Sequence, residues 1–70
     1  MNATSRYRIV VRGELTDRFR PAFEPMTMEW EGGDTVLVGD VVDQGQLHAL
    51  LDTAARLGLQ IVEVERLREP

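Results

Sequence analysis

Cysteine and lysine are both missing from the 70 residues, and histidine occurs once. Without cysteine there is no disulfide, no thiolate nucleophile and no thiolate metal ligand. With His48 as the sole imidazole, a zinc site would have to rest on carboxylates, an uncommon donor set, so neither a metal nor a cofactor is expected. The missing lysine bears on Gly32-Gly33, because a phosphate-cradling loop needs a lysine after it and a helix beginning behind it. Neither follows, and the doublet reads as a hairpin turn. Nor is there an apolar run of signal-peptide or membrane-spanning length, so the expectation is a cytoplasmic protein with no membrane partner.

Positive charge is missing from half of the chain. Residues 21 to 55 hold seven acids and no base, whereas residues 1 to 20 hold five arginines against Glu14 and Asp17. The net charge of −4 hides this asymmetry, which makes the molecule dipolar and able to attract a second copy of itself. A chain of this size buries only about 60% of its unfolded surface, so a partner that covers more would stabilise it. One domain over residues 1–70 is expected, with 1–6 and 68–70 frayed.

What is present is clearest from Asp43 to Leu59, DQGQLHALLDTAARLGL. At about 100° per residue, Leu47, Leu50, Leu51, Ala54 and Leu57 share one face of a helix, while His48, Asp52 and Arg56 lie opposite. Asp43 is placed as N-cap with Gln46 as its capping-box partner. Gly58 stops the helix in a left-handed conformation and Leu59 folds back onto Ala54. Four segments alternate as strands. In Tyr7–Leu15 the residues Tyr7, Ile9, Val11 and Leu15 point inward, with Gly13 marking a bulge or a close approach. Met26–Glu31 turns Met26, Met28 and Trp30 inward, and after the Gly32-Gly33-Asp34 turn Thr35–Val42 returns with Leu37, Gly39 and Val41 inward. Gln60–Leu67 turns Val62 and Val64 inward and Ile61, Glu63 and Glu65 outward. Between the first two strands, Thr16–Pro25 reads as a broken helical turn capped by Thr16, with Pro21 in its interior and Phe19 and Phe23 plugging the core.

This succession gives an α+β fold of the ferredoxin-like split β-α-β-β-α-β type, a two-layer sandwich with strand order 4-1-3-2 and a stunted first helix. The competing architecture, a three- or four-strand meander with a single helix across it, differs only in what residues 16 to 25 do. The helix-free side of such a sheet displays Arg8, Val10, Arg12, Val36, Val38, Ile61, Glu63 and Glu65. An aliphatic centre with a charged rim has the composition of a sheet-to-sheet interface, so a homodimer is expected through this face or by addition of an edge strand. Nucleic acid is excluded: no aromatic residue stands on the outward positions of the central strands, and the charge has the wrong sign. His48 one turn before Asp52 reads as a solvent face with an Asp52–Arg56 pair, since no nucleophile or oxyanion donor accompanies it. Glu29, Glu31, Asp34, Asp40 and Asp43 read as a solvated acidic edge, matching no calcium-loop spacing.

Read together, YRIVVRGEL, RFRPAFE, TVLVGDVVDQGQLHALL and LGLQIVEV resemble a group of small uncharacterised actinobacterial proteins. The likeness spans residues 7 to 67 and is strongest at a strand-to-helix junction of the form TVLxGxVxDQxxLHxLL. It implies no activity and no catalytic residue, and it singles out Asp43, Gln44, Leu47 and His48 for mutation. The functional expectation is a non-enzymatic interaction or regulatory module acting as a homodimer with a further protein partner. The alternative is a small-molecule sensor or cofactor-free enzyme of the dimeric ferredoxin-like type, with a pocket among Trp30, Phe19, Phe23 and His48.

Overall fold

Alternation in the first strand is realised over Ser5–Val11 (β1), where Ile9 and Val11 are buried on one face and Arg8 and Val10 occupy the other. A computed structural model describes residues 4–67; the fraying expected of 1–3 and 68–70 lies outside the described residues. Ser5 and Arg6, expected to fray, are instead paired with Val41 and Asp40. The other elements are a 3₁₀ turn over Asp17–Phe23, strands Thr27–Glu31 (β2) and Asp34–Val41 (β3), helix Gln44–Arg56 (α1), and strand Ile61–Leu67 (β4). All four strands form one antiparallel sheet in the order β2-β3-β1-β4. The chain is thus a small α+β protein in which one α-helix and the 3₁₀ turn pack against a four-stranded sheet. No helix among the described residues is long and apolar enough to cross a membrane.

The core lies between these two layers: Ile9, Val11, Phe23, Met26, Met28, Leu37, Val41, Leu47, Leu50 and Ala54. Both ends of α1 are closed as the sequence indicates. Asp43 Oδ1 accepts the Gln46 amide at 2.8 Å, while Gln46 Oε1 accepts the amide of Val42 at 2.7 Å, one residue earlier than in a standard capping box. At the far end Gly58 adopts φ 77° and the amide of Leu59 donates to Ala54 O at 2.9 Å, the six-to-one bond of a Schellman close. Leu57 departs from expectation. It is the C-cap, its backbone has left the helix, and it stands 44% exposed.

The stretch after β1 is bound to the hairpin by side chains. Gly13, with φ 89°, ends the strand rather than bulging within it, and its amide donates to Asp34 Oδ1 at 3.0 Å. Thr35, wholly buried, donates its hydroxyl to Gly13 O at 2.7 Å and accepts the amide of Leu15 at 2.9 Å. Leu15 is therefore held beside the sheet and is not part of a strand. In the 3₁₀ turn Phe23 is fully buried and Phe19 packs partly against the core, but Thr16 makes no side-chain cap; its carbonyl accepts the Phe19 amide instead. A turn with a cis Glu24–Pro25 peptide, closed by the Met26 amide on Phe23 O, leads into β2. Gly32 and Gly33 take positive φ in the two-residue hairpin that follows, between the paired Glu31 and Asp34.

Two strand readings change. Trp30 is 43% exposed and not core, because β2 is an edge strand; its indole N–H donates to Leu15 O at 2.7 Å and Arg20 lies over its ring. In β4 the pairing shifts by one residue: Ile61 stands opposite Val11 and Glu63 opposite Val10, leaving Val62 unpaired in a bulge. The bulge turns Ile61 onto the core and Val62 out to solvent, opposite to the expected alternation. Val64 faces Ile9, on the helix side, yet at the sheet edge it remains 42% exposed.

Candidate interaction surface

The eight residues expected on the open face do not form one apolar patch. Ile61 belongs to the other side, and Arg12 lies beyond the end of β1. Val10 and Val36 are paired to each other in register and are only 7% and 6% exposed, although no helix covers this side. Arg8 lies across it. Its Nη2 lies 3.0 Å from Glu31 Oε1 on β2, and its Nη1 lies 3.5 Å from Glu63 and 4.0 Å from Glu65 on β4. Since β2 and β4 are the two edges of the sheet, a guanidinium that reaches both lies across the central strands, over the Val10–Val36 pair. Arg8 thus pairs with glutamates of β4 across the ladder and reaches over β3 to Glu31 as well.

The same face is acidic. Register puts Glu29 in line with Val36, Val10 and Glu63, and one guanidinium is shared among Glu31, Glu63 and Glu65. Arg6 adds a separate, exposed pair with Asp40 at 3.4 Å. The five acids read as a solvated edge fall into three groups: Asp34 and Asp43 bind backbone amides, Glu31 and Asp40 pair with arginines, and Glu29 is exposed. Among the described residues no three histidine, aspartate or glutamate side chains are grouped to hold a metal ion.

What is left open is an edge. Among the described residues the outer side of β4 pairs with no strand, so alternate residues along its length present free backbone donors and acceptors. Val62 and Val64, half exposed, stand on this strand between the charged residues. The opposite edge, β2, is shorter at five residues and carries Glu29, Trp30 and Glu31 there.

The residues proposed for a pocket are not assembled into one. Phe23 is filled core, Trp30 is engaged with Leu15 and Arg20, and His48 is exposed on the outer face of α1. Asp52 on that face pairs with Arg56 at 2.9 Å, as its spacing indicates. A shallow groove of about 130 Å³ does occur elsewhere, between the start of β1 and the start of α1, lined by Ser5, Tyr7, Val41, Val42, Asp43 and Gln44. Of the residues marked for mutation, Asp43 and Gln44 border it and His48 does not.

No curated protein and no solved structure matches the chain. A family model does match, over residues 6–65, from β1 to the middle of β4, and includes the whole hairpin and α1. The chain therefore belongs to that family, described as a domain of unknown function, DUF8691.

Proposed function

We propose that this protein is a non-enzymatic interaction module that binds other proteins by adding a strand to β4. The observation that carries this reading is the seven-residue edge, unpaired among the described residues, with Val62 and Val64 half exposed on it. Exposed edges of this kind are normally shortened, covered, interrupted by proline, bulged or charged. β4 is seven residues long and has no proline, and its protections are the bulge at Val62 and the charges of Glu63, Glu65 and Arg66, which discourage some partners and not others. Strand addition supplies main-chain hydrogen bonds for affinity and alternate side chains for selectivity. A ferredoxin-like architecture is part of the same reading: the order β2-β3-β1-β4, taken from its other edge, is the split β-α-β order, with the 3₁₀ turn in place of the first helix.

A homodimer through the open face finds less support, because Val10 and Val36 are already buried within one chain and Arg8 is tied to carboxylates across that face. The sensor or enzyme reading finds less still. The groove of about 130 Å³ is small beside sites for drug-sized ligands, which span about 300–1,000 Å³. The test is selection of extended peptides from a displayed random library, followed by mapping of amide shifts in the labelled protein. Enriched peptides that perturb Ile61–Leu67 support the module. Enrichment that maps to the groove at Tyr7 and Gln44, or no enrichment, refutes it.

A further inference from the structure

We infer that the strand accepted by β4 is a basic one, carrying arginine or lysine at two positions separated by a single aliphatic residue, and that it is not a second copy of this chain. The inference rests on the strand-addition reading and adds the chemistry of the partner.

The argument follows from side-chain direction. Glu65 and Glu63 stand opposite Arg8 and Val10, on the open face, whereas Val64 between them stands opposite Ile9, on the helix side. An antiparallel strand added outside β4 places its own alternate residues directly against these. The positions facing Glu65, Val64 and Glu63 are therefore filled best by a basic, an aliphatic and a basic residue. Arg8 does not satisfy the two glutamates fully. It lies at 3.5 and 4.0 Å from them and makes its shorter contact, 3.0 Å, with Glu31. Both glutamates keep about half of their side-chain surface in solvent, at 49% and 51%. A partner cation can reach each without displacing Arg8.

Self-pairing meets the opposite situation. In a twofold antiparallel pair of β4 strands, each residue faces a residue of the same sheet face. Centring the pair on Val64 sets Glu63 against Glu65 twice; centring it on Glu63 or on Glu65 sets that residue against its own copy. Like charges directly opposite each other are destabilising, so each of these three registers is penalised. The glutamates leave the edge open to a basic strand and discourage the copy.

The experiment uses the full chain with two synthetic, end-blocked seven-residue peptides of alternating pattern. One has arginine and valine at alternate central positions; the other has glutamate in place of arginine. Titration is followed by amide shifts, and self-association by sedimentation. The arginine peptide is expected to bind about tenfold or more tighter than the glutamate peptide, from the added cross-strand pairs, with shifts concentrated on Ile61–Leu67. The preference should fall as salt is raised and reverse in the Glu63→Arg/Glu65→Arg variant. The comparison of the two peptides on the unaltered protein does not depend on that variant folding. Equal binding of both peptides at β4 would overturn the inference and leave strand addition standing. The same holds for a β4-paired homodimer seen at micromolar concentration. Binding of neither peptide, or binding that leaves β4 unperturbed, would overturn both.

Discussion

The Arg8 guanidinium donates to Glu31 Oε1 at 3.0 Å although the two residues belong to strands that are not neighbours, with β3 lying between them. The side chain, 28% exposed, lies across the open face, where its stem is expected to cover the buried pair Val10 and Val36. Truncation in Arg8→Ala should cost about 1–2 kcal/mol in urea unfolding, chiefly from uncovered valine surface. Arg8→Met keeps an aliphatic stem and removes the charge. It should cost less than half as much, because ion pairs this exposed contribute about 0–1 kcal/mol. Equal losses in the two variants would show that charge and not cover is what Arg8 supplies.

A second prediction concerns Thr35, the buried polar residue of the hairpin. Its hydroxyl serves Gly13 O and the Leu15 amide at once, so Thr35→Val leaves two main-chain groups without their partner while keeping the volume. Each buried group left unsatisfied costs about 1–3 kcal/mol, and a total loss of about 2–4 kcal/mol is expected by chemical denaturation. Thr35→Ser retains the hydroxyl and should lose about 1 kcal/mol, the value of one buried methyl. Hydrogen exchange separates this from a packing effect: the Leu15 amide should lose its protection in Thr35→Val and keep it in Thr35→Ser.

These two residues also show where sequence reading stops. The helix was legible because its signals are local: Asp43 and Gln46 at one end, Gly58 and Leu59 at the other, with Leu47, Leu50 and Ala54 buried between them. The Gly32-Gly33 turn was legible for the same reason. Only the start of β4 was misread: a bulge adds one residue to the count, so an alternation rule carried back across it inverts Ile61 and Val62, while Glu63, Val64 and Glu65 face as expected. Ile61 and Val64, three apart, share the helix side on account of Val62. Nothing in IVEVERL announces that insertion. Trp30 was misplaced because alternation gives the direction of a side chain and not the depth of what covers it. The crossing of the open face by Arg8 was out of reach altogether, since Arg8 and Glu31 are 23 positions apart and meet only once the strand order is known.

The third prediction turns on Gly39, which faces Tyr7 across the β1–β3 ladder. In an ordinary strand position, replacing glycine by alanine should help, since glycine loses more freedom on folding. Here a β-carbon would sit 3.0 Å from Met26 Cα and 3.3 Å from its Sδ, so the main chain entering β2 would have to retreat. Gly39→Ala should therefore destabilise by about 1–3 kcal/mol. Because the tightest contact is to backbone, adding Met26→Ala should not restore the loss. Thermal unfolding of the single and double variants decides this, and recovery in the double variant would place the clash in the flexible thioether instead.

The last prediction separates the roles of the polar residues at the strand-to-helix junction. Asp43 holds the first turn of α1 through the Gln46 amide, and Gln46 reaches back to Val42, so each side chain satisfies a donor that the other cannot. Asp43→Ala should cost about 1 kcal/mol, and Gln46→Ala somewhat less. The double variant should fall short of the sum, because each bond fixes the chain that the other needs. His48 is exposed on the outer face of α1, and His48→Ala should change stability by less than about 0.5 kcal/mol. Gln44, exposed as the first residue of α1, should behave like His48 in unfolding experiments. A peptide-binding defect in Gln44→Ala at unchanged stability would shift attention from the β4 edge to the groove beside Tyr7. On the strand-addition reading, Gln44→Ala and His48→Ala should bind the arginine peptide as the unaltered chain does, since neither residue belongs to β4.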